Sequence, residues 1–190
     1  MRIINQSVEI LSVTPNALKL IEQAGRVCYQ SEDKITELSS EPFVERLINR
    51  GHESVLEHAS ATVKLITNRA VMAELTRHRL ASYSIESTRY CDYNDELTFI
   101  PDKQNIDIDE ILTMIESKYK QFRKFGIKPE MARTILPNCL KTEIIMTANF
   151  REWRHIFKMR INQFAHPMIA ELMGLARNQL QSVAPVVFKL

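Results

Sequence analysis

Hydrogen-bond donors are concentrated in one stretch of the sequence, RHRLASYSIESTRY at residues 77–90. Three arginines, a histidine, three serines, a threonine and two tyrosines stand here against a single acid, Glu86. The four glycines of the chain are scattered, and no GxGxxG or Walker pattern offers backbone N–H groups to a phosphate. Arginine guanidinium groups and hydroxyls would therefore have to hold any phosphate that binds. The candidates that follow the first arginines are Ser82, Ser84, Ser87, Thr88 and Arg89.

The beginning of this stretch also has a purely structural explanation. The pattern of NRAVMAELTRHRL predicts a helix, and a cation in the last turn of a helix contributes about 0.3–1 kcal/mol. One cation would suffice for that purpose, whereas helical geometry sends Arg77 and Arg79 to nearly opposite sides. His78 would lie on the apolar face, and Glu74 could fix the Arg77 guanidinium. The stretch is therefore compatible with a helix cap or with a site for two anions.

A second group of cations lies in REWRHIFKMR, residues 151–160, where the spacing predicts another helix. One face of this predicted helix is polar and carries Arg151, Arg154, His155 and Lys158. This face is explained as well by a solvated surface as by a binding site. Arg160 instead continues an apolar stripe that includes Trp153 and Phe157. An arginine there either reaches solvent past the end of the stripe or meets a desolvated anion, such as a ring on which negative charge develops.

Other reactive side chains have ordinary explanations. GHESVLEH at residues 51–58 contains two histidines and two glutamates, but its histidines do not have the spacing of HExxH, so we predict no metal site. Cys139 stands alone without an obvious base, which is typical of a buried small side chain rather than a nucleophile. Ser87 has no GxSxG elbow around it.

These residues must be positioned by a mixture of strands and helices. Strands are predicted in MRIINQSVEILSV, HASATVKLIT and TEIIMTANF. Helices are predicted after a cap at Thr14, from Pro42 to Gly51, and in IDIDEILTMIESKYKQFRKFG, PEMARTIL, REWRHIFKMR and HPMIAELMGLARNQLQ. Because the strands do not alternate regularly with the helices, the predicted class is α+β, in one domain over residues 1–190.

Composition excludes several classes of protein. A net charge of +2 over 190 residues does not indicate a general nucleic-acid binder. The N-terminus has no apolar run of signal-peptide length, and no apolar segment approaches the length of a membrane helix. Cys28, Cys91 and Cys139 are far apart and form no CxxC pair, which predicts free thiols in a reducing compartment. We therefore expect a cytoplasmic protein without nucleic-acid or membrane partners.

The donor-rich stretch resembles the signature of the flavin-dependent thymidylate synthases. The central motif is Arg77-His78-Arg79, followed after seven residues by Ser87 and continuing through Thr88-Arg89-Tyr90. The resemblance extends in the same order over roughly residues 50–180. Its supporting segments are GHES (51–54), EH (57–58), AR (132–133), LP (136–137), NFR (149–151) and Arg160.

What the resemblance implies is an antiparallel sheet packed with several helices, in a homotetramer whose sites are built from several subunits. It implies methylation of dUMP to dTMP without an enzyme cysteine nucleophile, with 5,10-methylenetetrahydrofolate as carbon donor and FAD, reduced by NADPH, as hydride donor. The residues it assigns to FAD are His52, Ser54, Arg77, His78, Arg79, Asn149, Arg151 and His155. Those it assigns to dUMP are Glu74, Arg77, Glu86, Ser87, Thr88, Arg89, Arg133 and Arg160. Arg160 would be catalytic, because it would stabilise negative charge at N3 and make C5 a better nucleophile.

Three positions depart from the pattern of the family, and each could weaken FAD affinity. Ile85 stands where many members have glutamine or glutamate, His155 where an asparagine often contacts the flavin, and Phe164 where some members have histidine. Three alternatives stay open. The chain could bind flavin without turning over, it could be a cysteine-dependent pyrimidine methyltransferase that uses Cys139, or it could be a non-catalytic nucleotide- or RNA-binding module.

Overall fold

The computed structural model describes residues 1–102 and 108–189. In these residues six strands are present: β1 (Arg2–Ile3), β2 (Ser7–Val13), β3 (Ser60–Asn68), β4 (Ala81–Ile85), β5 (Thr98–Phe99) and β6 (Lys141–Asn149). They also contain the α-helices α1 (Ala17–Val27), α2 (Ser40–Asn49), α3 (Arg69–Leu75), α4 (Asp109–Lys124), α5 (Pro129–Ala132), α6 (Phe150–Arg160), α7 (Pro167–Val183) and α8 (Pro185–Phe188). Short 3-10 segments lie at Glu32–Lys34, Glu53–His58 and Arg133–Ile135.

The larger sheet is four-stranded, with the order β2-β3-β6-β4. Alternation of side chains between its two faces explains why Ala61, Val63 and Leu65 of β3 are buried while their neighbours are half-buried. The small sheet pairs β1 with β5 in parallel, with Arg2 opposite Thr98. An antiparallel sheet accompanied by helices confirms the predicted α+β class.

Two helices begin at asparagine caps that follow a strand directly. At the end of β3, Asn68 Oδ1 accepts the N–H of Val71 at 2.9 Å and starts α3. At the end of β6, Asn149 Oδ1 accepts the N–H of Glu152 at 2.8 Å and starts α6. Because an N-cap satisfies a backbone donor that has no partner in the helix, each asparagine fixes the point at which a strand turns into a helix.

The chain divides into two compact units. Unit 1 comprises Met1–Ser7, Ile66–Arg77 and Ser84–Ile144, and unit 2 comprises Val8–Leu65, His78–Tyr83 and Ile145–Leu190. The core of unit 1 contains Leu97, Phe99, Leu112, Tyr119, Ala132 and Leu140. In unit 2 the rings of Trp153 and Phe157 stack at 5.7 Å, and Phe188 packs against Phe157 and Phe150. One domain over residues 1–190 stays a prediction.

Several predicted elements have different limits in the structure. The opening strand is divided into β1 and β2, and α1 begins after Asn16 rather than after a Thr14 cap. The Thr14 hydroxyl instead accepts the N–H of Ser60 at 2.9 Å, so it ties β2 to the start of β3. The start of the predicted helix 106–126 falls partly on residues 106–107, which lie outside the described residues.

The most consequential correction concerns the predicted helix over residues 68–80. Helix α3 ends at Leu75, so Arg77, His78 and Arg79 are not in its last turn. The Thr76 hydroxyl donates to the carbonyl of Met72 at 3.1 Å, which is a local competitor of further helix formation. The donor-rich stretch after this helix also contains a strand that was not among the predicted ones, because Ala81–Ile85 forms β4.

The burial of two side chains differs from what helical spacing indicates. Ile111 of α4 is 58% exposed, although the apolar spacing of this helix indicates a buried position. Arg154 of α6 is only 4% exposed, although the same reasoning placed it on the solvated face. Its guanidinium donates to the carbonyl oxygen of Val187, and its Nη2 donates to Glu53 Oε1 at 3.1 Å. Arg154 is therefore a buried residue that links helix α6 to Glu53 and Val187 inside unit 2.

Candidate active site

A cavity of about 600 Å³ opens in unit 2 beside the first two turns of α6. The strand β6 and the Asn149 cap place the start of α6 at its wall, and the Glu53–His58 segment supplies the acids. Three of the residues predicted to hold FAD line it: Asn149, Arg151 and His155. The other lining residues are Glu53, Glu57, Leu80, Glu152 and Lys158.

The cations of this cavity are paired with its own glutamates. Arg151 Nη1 contacts Glu57 Oε1 at 2.5 Å, and both side chains are about half exposed. Lys158 Nζ lies 3.6 Å from Glu53 Oε1. The half-exposed pair of Arg151 and Glu57 is worth only about 0–1 kcal/mol, so an incoming phosphate can take over this arginine at little cost. Together with the Asn149 and His155 side chains, these cations fit a cofactor that combines a pyrophosphate with a ring rich in hydrogen-bonding groups.

His78 and Arg160 form a hydrogen-bonded pair in unit 2. His78 is 8% exposed, and its Nε2 accepts the Nε–H of Arg160 at 2.9 Å. The Tyr83 hydroxyl donates to the carbonyl oxygen of His78 at 2.8 Å, which holds the backbone at this point. Burial, with the Arg160 charge and His155 as smaller causes, lowers the pKa of His78 from 6.5 to about 4. The imidazole is therefore neutral at physiological pH and acts as an acceptor for the arginine.

The remaining residues predicted for FAD do not line the cavity. His52 lies on a separate depression of about 200 Å³, which it shares with residues that include Tyr29 and Arg50. Ser54 is exposed on the Glu53–His58 segment. Arg77 and Arg79 are exposed on either side of the buried His78. The structure thus collects Asn149, Arg151 and His155 at one wall, with His78 beside Glu152 and His155 of that wall, whereas His52, Ser54, Arg77 and Arg79 do not line it.

The residues predicted for dUMP lie in unit 1, apart from Arg160. Glu86 accepts hydrogen bonds from the Tyr93 hydroxyl at 2.7 Å, from Lys141 Nζ at 2.9 Å and from the N–H of Glu143 at 3.1 Å. Its carboxylate therefore already organises the segment that leads to Ser87. Burial, together with the hydrogen bond to the Glu86 carboxylate, raises the pKa of Tyr93, so this hydroxyl stays a donor.

The next residues of the same segment bring further donors together. Arg133 Nη1 donates to the buried Thr88 Oγ1 at 3.3 Å, and Arg89 Nε donates to Glu130 Oε2 at 3.1 Å on the surface. Ser87 Oγ accepts the N–H of Arg89 at 3.3 Å. Glu74 and Arg77 are linked through their backbones, because the N–H of Arg77 donates to the carbonyl of Glu74 at 3.3 Å.

The three departures from the family pattern lie in different surroundings. His155 lines the cavity, and its ring lies edge-on to that of His78 with centroids 6.2 Å apart. Ile85 is half-buried at the end of β4, and Phe164 is 90% exposed. Of the three, only His155 belongs to the cavity in the part of the chain that the structure describes.

Cys139 has the surroundings of a structural thiol. It is half-buried against the core of unit 1, and burial raises its pKa above the ordinary value of 9.0. Because the thiolate is the nucleophilic form, a raised pKa disfavours attack by this cysteine at neutral pH.

Metal and membrane features are both absent from the residues described. Across residues 1–102 and 108–189, no three His, Cys, Asp or Glu side chains are grouped so that they could hold a metal ion. None of the helices in those ranges has the length and apolarity needed to span a bilayer.

Sequence reasoning missed two residues that contact the His78 and Arg160 pair. Glu152, 7% exposed, places its Oε1 3.8 Å from His78 Nδ1. An acid three residues after an asparagine cap is typical of a capping box, so its sequence position gave no sign of another role. Tyr83 has no distinguishing pattern beyond its place in the donor-rich stretch.

Comparison with known proteins gives a consistent family. The family model described as thymidylate synthase complementing protein matches residues 9–186. A probable flavin-dependent thymidylate synthase of Mycobacterium phage L5 is 33% identical, over 92% of this chain and 80% of its own. The flavin-dependent thymidylate synthase of Mycobacterium avium (strain 104) is also 33% identical, over 89% of this chain and 77% of its own.

A solved structure has the same fold. The crystal structure of the UMP/dUMP methylase PolB from Streptomyces cacaoi, bound with 5-Br dUMP, aligns with a TM-score of 0.82 at 20% identity. The alignment covers 100% of this chain and 96% of that one. The family match spans most of the chain, including the segments that build the cavity and the buried pair of His78 and Arg160, and this chain therefore belongs to the thymidylate synthase complementing protein family.

Proposed function

We propose that this chain is a flavin-dependent thymidylate synthase, a methyltransferase that converts dUMP to dTMP. Methylenetetrahydrofolate is the carbon donor, and FAD reduced by NADPH is the reductant. One observation carries the proposal. A neutral, buried His78 holds the Arg160 guanidinium by a 2.9 Å hydrogen bond, and two neighbours of that histidine, Glu152 and His155, line a cavity furnished with donors.

The residues of the cavity suit the cofactor. Arg151 and Lys158 would meet its phosphates, and the side chains of Asn149 and His155 would meet polar edges of its rings. When bound, the reduced flavin would supply the hydride, and with it the two electrons, that converts the transferred carbon to a methyl group. Arg79 and His52 stay predicted contacts of FAD, as do Ser54, Arg77 and His78.

The role of Arg160 follows from its charge and its anchoring. Uracil C5 is a weak nucleophile, and it becomes stronger when negative charge on the ring is stabilised at N3. A guanidinium held in one orientation supplies that stabilisation without reorganising during the reaction. Because a histidine that is neutral takes no charge away from it, Arg160 keeps its full positive charge for the pyrimidine.

Binding of the nucleotide is assigned to the donors of unit 1. Ser87, Arg89 and Arg133 would hold the phosphate of dUMP, and Thr88 would orient Arg133 through their 3.3 Å hydrogen bond. Glu86 would shape this segment through its bonds to Tyr93 and Lys141. Self-association as a homotetramer, in which several copies complete each site, is part of the proposal.

A direct test is reduction of bound flavin. The purified chain is loaded with FAD, freed of excess, and mixed anaerobically with NADPH in the presence or absence of dUMP. We expect a flavin absorption band that is retained by the protein and is bleached in a dUMP-dependent way. A protein that takes up no FAD would contradict the proposal. Reducible flavin without any dTMP formation would support a flavin-binding member of the family that no longer turns over.

A further inference from the structure

Glu152 is a buried carboxylate to which the proposed chemistry gives no task. It is 7% exposed, it lines the cavity, and its Oε1 lies 3.8 Å from Nδ1 of the buried His78. Burial raises the pKa of this carboxyl. A buried carboxyl group is costly unless it has a partner, so its position beside one particular imidazole nitrogen needs an explanation.

The hydrogen bond between Arg160 and His78 determines which imidazole nitrogen carries the proton. A guanidinium has donors and no acceptor, so the nitrogen that meets the Arg160 Nε–H has to offer a lone pair. That nitrogen is Nε2, at 2.9 Å. In a neutral imidazole the single proton must then be on Nδ1, which is the nitrogen that faces Glu152.

We propose that Glu152 is a positioning residue that holds His78 in its Nδ1–H tautomer, so that Nε2 stays available to orient the Arg160 guanidinium. The carboxylate attracts the Nδ1–H, the imidazole accepts from the arginine, and the three side chains form one chain of contacts, Glu152–His78–Arg160. The consequence for catalysis rests on the proposed function, whereas the tautomer of His78 does not.

The charged and titratable groups that contact or face His78 in the described residues are consistent with this arrangement. Helix α6 supplies Glu152, His155 and Arg160, and the Tyr83 hydroxyl of β4 donates to the His78 carbonyl. Two of these, Arg160 and His155, lower the pKa of His78, and burial acts in the same direction. With the imidazole kept neutral, only the tautomer is left to be chosen, and Glu152 is the acid that lies next to Nδ1.

Two substitutions of Glu152 separate the effects of its negative charge, its hydrogen-bond acceptor and its side-chain volume. Glu152→Gln keeps the shape and an oxygen that can accept from Nδ1–H, so the tautomer should survive. Glu152→Met keeps a similar volume without an acceptor, so the tautomer preference should be lost. For catalysis we expect Glu152→Met to lower kcat about tenfold to a hundredfold, as loss of partners that orient histidine ligands does in metal sites. Its KM for dUMP should change by less than about threefold, because Glu152 acts through Arg160 orientation rather than through binding.

The test is nitrogen NMR of the protein labelled with ¹⁵N-histidine, with and without FAD, in which a His78→Asn variant assigns the signal. We expect a protonated Nδ1 and an unprotonated Nε2 in the wild type and in Glu152→Gln, and a mixture of tautomers in Glu152→Met. A proton on Nε2 in the wild type would overturn the proposal without any variant. An unchanged tautomer together with unchanged kcat in Glu152→Met would do so as well.

The two readouts distinguish failure of the inference from failure of the proposed function. If the tautomer depends on Glu152 but the wild type makes no dTMP, the positioning role stands and the assigned reaction is wrong. If dTMP is made while the His78 tautomer is the same with and without the Glu152 carboxylate, the assigned reaction stands and the positioning role is wrong. Should Glu152→Met fail to fold, the wild-type tautomer and the Glu152→Gln kinetics still decide the question.

Discussion

At the scale of single residues, the hydrogen bond between Arg160 and His78 is the feature of the site that bears most directly on the proposed reaction. Arg160 ends α6 beside an apolar stripe, and its Nε–H is accepted by the buried Nε2 of His78. The sequence indicated that an arginine here would either reach solvent or meet an anion. The structure shows a third arrangement, in which a neutral imidazole accepts the Nε–H of the guanidinium and holds the side chain in place.

Arg160→Lys should therefore be strongly impaired in turnover. A lysine keeps the charge but loses the planar fork and the Nε–H that His78 accepts, so the charge is no longer held in one orientation. We expect kcat to fall by about 10²–10³, the usual loss when one preorganised donor is removed. Steady-state formation of dTMP measures this, with Arg2→Lys on the exposed strand β1 as the matched control. Activity within about threefold of wild type would exclude the assigned role.

Cys139→Ala should leave turnover nearly unchanged. The thiol packs against the core of unit 1 and has a raised pKa, so it is poorly suited to attack a pyrimidine ring. The same assay checks this, with Cys91→Ala as the control for loss of a free thiol. Abolished turnover in a folded Cys139→Ala protein would instead favour the cysteine-dependent methyltransferase.

At the scale of the element, α6 connects stability with the cavity. Asn149 both caps this helix and lines the cavity. The helix buries Trp153, Ile156 and Phe157 on one side, and it presents Arg151 and His155 on the other. Capping, core packing and ligand donors are thus combined in three turns of one helix.

Two substitutions at Asn149 should separate its roles. Asn149→Ala removes both the cap and the amide, so it should lower the free energy of unfolding by about 1 kcal/mol and weaken FAD binding. Asn149→Ser keeps a capping oxygen, so it should retain stability while still weakening FAD binding. Urea unfolding and flavin titration measure the two effects. FAD affinity that follows stability in both variants would show that Asn149 acts only as a cap.

Elements with strong periodicity could be predicted from the sequence, and those set by single local bonds could not. The alternation in β3 and the apolar spacing of α7 were sufficient to predict those elements. Because cations are compatible with a helix end, the sequence pattern predicted a helix that continues to residue 80. In the structure α3 ends at Leu75, and the Thr76 hydroxyl donates to the carbonyl of Met72. Arg154 shows the same limit. Its burial depends on the distant Glu53 and Val187, which no local pattern contains.

Only part of the candidate site could be predicted from the sequence. The family resemblance predicted Asn149, Arg151 and His155 as cofactor contacts, and the structure gathers these three residues at one cavity wall. It also predicted His52, which lies on a different depression of unit 2. Glu152 could not be predicted, because a glutamate in the first turn of a helix is already explained by the helix itself.

At the scale of the whole molecule, the buried His78 should make stability depend on pH. Its pKa is about 4 in the folded chain and 6.5 in the unfolded chain, so the unfolded state binds the extra proton between these values. Stability from this group is complete above pH 6.5 and is lost as the pH falls toward 4. The loss amounts to on the order of 1–3 kcal/mol.

Urea unfolding at pH 7 and pH 5 measures this dependence in the wild type and in His78→Asn. We expect the wild type to lose more stability than the variant over this interval. Equal slopes in the two proteins would mean that His78 is accessible to protons in the folded chain.

Assembly is the second property of the whole molecule that can be measured directly. If the chain is the homotetramer that the proposal requires, light scattering should give about four times the 22.1 kDa mass of one chain. A stable monomer that makes dTMP would show that one chain completes its own site.

The measurement that tests the central claim most directly is product formation from labelled dUMP. The purified, FAD-loaded chain is incubated with dUMP, methylenetetrahydrofolate and NADPH, and each component is omitted in turn. We expect mass spectrometry to detect dTMP only when all components are present, and we expect dTMP formation to be lost in Arg160→Lys. No dTMP from a folded, flavin-loaded protein, or dTMP that forms without flavin, would contradict the claim.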